Sequence, residues 1–471
     1  MMWNAVERFG STFFLFLSNL VLARLLMPSD FGTVAMLMVF ISISETIVDA
    51  GFGSALIQKK DVDEKDYSTV FIWNIFFSLF LYSILYICSP FIANFYNDSL
   101  LCNILRVQGI VIILNSFIIV QIAKLKKELN FRLIAKINLF SVVVGTIAAI
   151  ICAFYGMGVW SLVVKMVLQS LIQVISYNCI VRKVFSIQFN FDRFLSMFKF
   201  GIFIFLNRLL NTLFNNIMTL IIGKFFSSST LGYYNQGKKL EDLPRGTISS
   251  IIYNVAFSAF SIIKDDKERL CKSASSCMRC LALISTPVMM FAFIIAKPLI
   301  ILLYGEKWIP SVLYFKILCI GALVTSPLEL NSEIINSIGK SKMSFNIRIF
   351  QRIIGTILML FGVSFGMKGL LIAYVIGHLL SFFLSSLFTG KYVGYGILKQ
   401  GIDILPSIII SFASVTLVYF LEYIINFNSY ILNILTYLIL YTIIYLLLSI
   451  VTYKSELLFI KDSLIKIIKK Y

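Results

Sequence analysis

Along this chain, apolar residues come in long runs separated by short polar links. The runs reach about 20 residues or more, the length a helix needs to cross the hydrocarbon core of a bilayer. None shows the strict alternation of a membrane β-strand. The pattern predicts fourteen transmembrane helices over residues 8–27, 32–57, 68–93, 103–123, 134–155, 158–181, 198–224, 230–262, 274–303, 311–338, 343–364, 369–390, 403–424 and 430–453. The second and eighth are long for a bilayer and are expected to tilt or to project beyond it. The first run lacks a small-residue cleavage site, so it reads as a span and not as a removable signal peptide.

Composition closes the alternative. Hydrophobic residues make up 59% of the 471 and charged residues 14%, where a soluble domain carries about 25% charged. A water-soluble fold has no way to hide that much apolar surface. The formal net charge of +18 would suggest nucleic acid in a soluble protein. Here the basic residues gather in the links, so they read as topology signals facing anionic headgroups, and nucleic acid is not an expected partner.

Their distribution is one-sided. Links after even-numbered spans carry Lys59, Lys60 and Lys65; Lys124, Lys126, Lys127 and Arg132; Arg182, Lys183 and Arg193; Lys264, Lys267, Arg269 and Lys272; Lys340 and Lys342; Lys391 and Lys399. Links after odd-numbered spans hold few cations, among them Lys224, Lys307 and Lys368. The bias places the even links and both termini in the cytoplasm of an inner-membrane protein, and the tail lysines Lys461, Lys466, Lys469 and Lys470 agree. The outer links are too short to hold an external catalytic domain.

The chain repeats itself. At a shift of 200, Leu22–Gly32 (LARLLMPSDFG) meets Ile222–Gly232 (IGKFFSSSTLG): Arg24 falls on Lys224, Ser29 on Ser229, Gly32 on Gly232, and further back Arg8 on Arg208. At a shift of 210, Gly145-Thr146-Ile147 meets Gly355-Thr356-Ile357, and Gly156-Met157 meets Gly366-Met367. A unit of six spans returns the chain to its starting side, so the two halves share one orientation about an axis along the membrane normal. The expected organisation is an N-terminal lobe over 1–195 (spans 1–6), a C-terminal lobe over 196–400 (spans 7–12), and spans 13 and 14 with a basic tail over 401–471. Paired parallel lobes suit alternating access to a path between them.

The motifs at these positions resemble a known family. Arg24–Gly32 (RLLMPSDFG) and Asp49–Lys59 (DAGFGSALIQK) resemble the N-terminal signature of polysaccharide flippases of the Wzx or WzxC type. Leu220–Lys238 (LIIGKFFSSSTLGYYNQGK), Leu243–Ser249 (LPRGTIS) and Tyr304–Trp308 (YGEKW) resemble the second lobe of that family. The resemblance covers nearly the whole chain. It implies an all-α, fourteen-helix fold of the multidrug/oligosaccharidyl-lipid/polysaccharide exporter (MATE-like) superfamily. It also implies export of undecaprenyl-pyrophosphate-linked oligosaccharide for cell-surface polysaccharide such as lipopolysaccharide or capsule, with a polymerase and a chain-length regulator as partners. The little sequence ahead of the first span leads to the expectation that a short N-terminal segment is missing.

Such a substrate has an apolar tail, an anionic pyrophosphate and a polar sugar, and only the last two need shelter from hydrocarbon. Ionisable groups inside spans are therefore the place to look, since each costs about 2.5–3.5 kcal/mol at a helix centre. Arg8 and Arg208 are repeat equivalents whose guanidinium forks suit phosphate; the competing reading is snorkelling to headgroups. Lys165, Arg245 and Arg352 add in-span positive charge. Asn207, Asn211 and Asn215 recur every four residues and share a helix face, and with Asn74 they are expected to line a polar cavity. Glu45 and Asp49, four apart on span 2, are candidates for coupling to H⁺ or Na⁺ or else ion-pair partners of Arg8 or Arg24, and Glu241 on span 8 is a further coupling candidate. Glu329 and Glu333 are the expected partners of Arg348 and Arg352. Arg24 and Lys224 read as interface anchors, and Tyr233, Tyr234 and Trp160 as an aromatic belt. His378 reads as a packing contact, and Pro244, Pro287 and Pro327 as kinks.

Cys277 and Cys280 form a CxxC without a second pair, and the cysteines read as small hydrophobes, with no metal or other cofactor expected. No Gly-rich phosphate loop or sizeable catalytic loop occurs, so the chain is read as a transporter and not an enzyme. A cation-coupled multidrug antiporter of the same superfamily is the competing function. It would favour an acidic cavity, whereas the in-span charges lean positive.

Overall fold

The computed structural model describes residues 2–181, 188–422 and 429–452. Arg182, Lys183 and the four tail lysines lie outside the described residues, as does the side chain of Arg8. Helices are the regular structure of the described residues, joined by one 3-10 turn at Glu306–Trp308. By internal packing the chain divides into two units, Met1–Gly232 and Tyr233–Tyr471.

The first unit holds α1 (Met2–Leu25), α2 (Pro28–Asp49), α3 (Phe52–Gln58), α4 (Glu64–Tyr96), α5 (Leu100–Gln108), α6 (Ile110–Ser116), α7 (Ile119–Lys127), α8 (Phe131–Phe154), α9 (Val159–Ile180), α10 (Phe191–Phe225) and the first turn of α11 (Ser228–Ile262). The second holds the rest of α11, then α12 (Lys267–Ile294), α13 (Ala296–Tyr304), α14 (Pro310–Ser337), α15 (Ser341–Val363), α16 (Gly366–Val393), α17 (Ile397–Glu422) and α18 (Tyr430–Thr452). Among the described residues, each predicted span falls largely on helix. Twelve stretches among the described residues are long and apolar enough to cross a membrane. That is fewer than the fourteen expected. Of α1, only Phe13–Leu25 counts as an apolar helix. In α11, Lys238, Lys239, Glu241, Asp242 and Arg245 dilute the apolar content.

Helix ends follow local chemistry. Asp63, Asn130, Asn190 and Asp266 each accept a hydrogen bond from a backbone N–H of the first turn of α4, α8, α10 and α12, which satisfies an orphan donor. The predicted prolines do not break their helices: Pro244, Pro287 and Pro327 lie inside continuous α11, α12 and α14. The second span breaks instead at Ala50 and Gly51, which take φ of 41° and 80°. The fourth is divided into α5, α6 and α7. The longest helices, α10 and α11, have 35 residues each. At 1.5 Å per residue they are about 52 Å long, beyond the roughly 30 Å of a hydrocarbon core.

In the first unit α1 packs on α8, α8 on α9, and α10 on α2, α3 and α4. In the second, α15 packs on α16, α16 on α14, and α12 on α14 and α17. Glycines set the close approaches. The N-terminal turns of α2 and α11 cross so tightly that a Cβ on Gly32 would lie 1.7 Å from the Ser228 carbonyl oxygen, and one on Gly232 would lie 1.9 Å from that of Pro28. Pro28 and Ser228 correspond at the same shift of 200 that relates Gly32 to Gly232. The two close contacts are therefore reciprocal within the first unit.

Gly232→Ala is expected to lower the thermal unfolding midpoint in detergent, because overpacking against a fixed carbonyl costs about 1–3 kcal/mol or more. Gly246→Ala, in the same helix with nothing within 4 Å of its Cβ, is expected to leave the midpoint unchanged or raise it. Equal effects from the two substitutions would contradict the close crossing.

Candidate functional site

The polar residues of the spans sort into a few clusters. The first joins α2 to α10 in three antiparallel rungs. Arg208 Nη1 donates to Asp49 Oδ2 at 2.6 Å, the Thr46 and Thr212 hydroxyls lie 3.2 Å apart, and Asn216 Nδ2 donates to Ser42 Oγ at 3.4 Å. Arg208, Thr212 and Asn216 follow at four-residue steps and so form one face of α10. Arg208 Nη2 also donates to Ser54 Oγ on α3 at 2.9 Å. The Arg208 side chain is 51% exposed in spite of these bonds.

Asn207, Asn211 and Asn215 are exposed and lie beside this seam. An exposed row of three amides with a guanidinium, in the middle of a 35-residue span, is unfavourable against acyl chains. That face is suited to water or to a polar ligand. Asn74 behaves differently. It is fully buried on α4, with neither amide atom partnered among the described residues.

Glu45 and Asp49 do not act as a pair. Glu45 accepts from Asn115 Nδ2 of α6 at 2.5 Å, whereas Asp49 meets Arg208, not Arg24. Lys165 of α9 donates to Ser18 of α1 at 2.5 Å, and Ser18 also accepts from Thr146 of α8 at 2.8 Å. Lys165 thus knits three helices together.

In the second unit, the charges on α11 neutralise one another. Lys238 Nζ lies 2.5 Å from Glu241 and 3.0 Å from Asp242. Arg245 meets Glu241 at 2.6 Å, Asp242 at 2.7 Å and Glu329 of α14 at 3.2 Å. Three carboxylates face two cations, and each nitrogen of the Arg245 guanidinium is already on a carboxylate. Glu329, expected beside Arg348 or Arg352, therefore belongs to Arg245. Arg352 is half-buried on α15, which packs on α14 and α16.

The remaining expectations divide. Lys224 donates to the Phe95 carbonyl at 2.6 Å and sits 4.2 Å from the Phe95 ring centroid, a fit for an anchor at a helix end. Tyr234 is buried in the core and so stands apart from an aromatic belt, whereas Tyr233 is half-buried and packs edge-on against Trp308. His378 Nδ1 lies 2.9 Å from the Tyr374 carbonyl one turn back, a local packing contact. Ser54 and Asn115 were not anticipated. Ser54 lies in the quoted DAGFGS stretch, but nothing in one dimension points it at residue 208.

A separate clamp closes the basic end of the first unit. Fully buried Asp66 meets Lys59 at 2.5 Å and Arg193 at 3.2 Å, and Arg193 also pairs with Asp63. Lys127 Nζ donates to the Lys59 and Lys60 carbonyls, at 2.5 and 3.2 Å. The Arg193 guanidinium holds the Asp63 carboxyl down at about 2, helped by the Asp66 backbone N–H.

Comparison with known proteins places this architecture. A family model described as "Polysaccharide biosynthesis protein" matches residues 21–313. The chain is 29% identical over 309 residues to the teichuronic acid biosynthesis protein TuaB of Bacillus subtilis, covering 64% of this chain and 63% of that relative. It is 21% identical over 413 residues to the lipopolysaccharide biosynthesis protein WzxC of Escherichia coli, covering 83% and 82%. The fold is similar to that of the lipid II flippase MurJ in an inward closed conformation, with a TM-score of 0.78 at 15% identity, over 96% of this chain and 99% of that one.

Two outcomes test the clamp. Asp66→Ala is expected to destabilise the protein by about 1.5–3 kcal/mol, the scale of hydrogen bonds to a charged group, read by unfolding in detergent. Asp63 has a folded value below the ordinary 3.8, so its contribution is complete above 3.8 and is lost as the pH falls through about 2. Asp63→Asn should therefore shift the unfolding midpoint equally at pH 7 and pH 5; a gap that changes between them would refute this.

Proposed function

The chain belongs to the polysaccharide biosynthesis protein family, and on that premise we propose that it carries a lipid-linked oligosaccharide from the cytoplasmic to the outer leaflet of the inner membrane. The observation that carries this reading is the exposed polar face of α10, where Arg208 stands beside Asn207, Asn211 and Asn215. An anionic pyrophosphate suits the guanidinium fork, and sugar hydroxyls suit amides that both donate and accept. The undecaprenyl tail stays in lipid, so the protein shelters only the headgroup. The named transport role of a relative, the succinoglycan biosynthesis transport protein ExoT, supports transport over catalysis.

Finer assignments belong to the same proposal. The one-sided Lys and Arg of the links put the termini in the cytoplasm. Glu45, half-buried on α2 with one amide donor from α6, is the candidate for H⁺ or Na⁺ coupling. A polymerase and a chain-length regulator would receive the flipped unit. The multidrug antiporter reading is weaker: the exposed cation on α10 suits an anionic headgroup and repels cationic drugs.

The test is genetic. A strain without this chain should accumulate lipid-linked oligosaccharide in the inner leaflet, and the wild-type gene should clear it. Arg208→Ala should lower the flipping rate by about tenfold or more, the loss of one bond of roughly 1.5–3 kcal/mol. A null strain with normal surface polysaccharide and no accumulated intermediate would sink the reading.

A further inference from the structure

Arg208 is engaged before any ligand arrives. Its Nη1 is held by Asp49 and its Nη2 by Ser54. The second oxygen of Asp49 accepts the Gly53 backbone N–H at 3.0 Å, so one carboxylate ties the guanidinium to the first turn of α3. The tie spans the Ala50–Gly51 break, where both residues are left-handed. The α10 backbone closes on the same place: a Cβ on Gly51 would lie 2.5 Å from the Gly201 carbonyl oxygen. Three chemically distinct parts therefore meet at the break: an exposed cation, its carboxylate partner, and a backbone joint at which Gly51 takes a left-handed φ without steric cost.

We propose that Asp49 is a positioning residue that competes with the substrate's pyrophosphate for Arg208, so that loading of the headgroup unfastens α3 from α10. The inference rests on the reading that Arg208 meets the anion. A pyrophosphate brings more negative charge than a carboxylate and engages a guanidinium fork through two oxygens. Two anions do not share one fork without repulsion, so the incoming headgroup displaces Asp49. Freed from Arg208, the Asp49 carboxylate loses its fixed orientation, and with it the cap on Gly53. Binding and release of α3 are then linked, and each weakens or strengthens the other by the same factor. In the empty protein the pair keeps a cation in a span without leaving its charge uncompensated.

The experiment uses the full chain in lipid nanodiscs, with undecaprenyl pyrophosphate as the probe. Asp49→Asn keeps the shape and an acceptor for Gly53 N–H but removes the competing charge. It is expected to bind the probe about tenfold tighter than wild type while flipping more slowly; Asp49→Glu should return both values toward wild type. Hydrogen exchange of the peptide over residues 45–58 should rise in wild type on adding the probe and should respond less in Asp49→Asn. A purely structural role for Asp49 would speed exchange without tightening binding. If Asp49→Asn binds no tighter while Arg208→Ala loses the probe, the competition is wrong and the anion site stands. If Arg208→Ala binds like wild type, the anion site itself is wrong, and the competition falls with it.

Discussion

A polar group in hydrocarbon must find a partner inside the protein, and this requirement organises the molecule. It drives the backbone into helices, whose N–H and C=O groups are satisfied along their own length. It also governs the charged side chains. Asp49 meets Arg208, the α11 charges meet one another and Glu329, and Lys165 meets Ser18. Glu45 and Lys165 meet neutral groups, the Asn115 amide and the Ser18 hydroxyl.

That requirement separates scaffold from site. The α11 cluster is largely self-neutralised and partly buried, with Glu241 2% exposed. Its charges hold α11 to α14 and leave no guanidinium nitrogen of Arg245 without a carboxylate. The α10 face is the reverse case. Arg208 has one carboxylate, an open guanidinium surface, and a row of exposed amides beside it. Polarity that the protein does not use on itself is polarity offered to something else.

Where polar partners join helices, glycines set how closely they approach. Gly32 and Gly232 bring α2 and α11 into backbone contact, and Gly51 does the same for the α2–α3 break against α10. Between α15 and α16, a Cβ on Gly362 would come within 2.8 Å of the Gly369 carbonyl oxygen. Small residues have this role between membrane helices, where lipid removes the hydrophobic drive and close packing replaces it. The reciprocal contacts of Gly32 and Gly232 link the repeated sequence to a repeated packing element, and the Ala50–Gly51 joint lies one α2 length away from that crossing.

The runs of apolar residues by themselves determined that the chain is helical and that it belongs in a membrane, because helix length and bilayer thickness are matched along a single coordinate. The repeat also picked out Gly32 with Gly232, since self-similarity is a linear property. The partners were another matter. Spacing put Glu45 and Asp49 on one helix, yet neighbouring helices drew the first to Asn115 and the second to Arg208. Glu329 went to Arg245, not to Arg348 or Arg352, and Tyr234 went into the core. The second span broke at Ala50 and Gly51, where the α10 backbone closes on the joint. Which charge answers which, and which polar face stays open, depends on residues 70 to 159 positions apart meeting across helices. Only the tertiary structure decides such meetings, because periodicity along one helix carries no information about the identity of its neighbour.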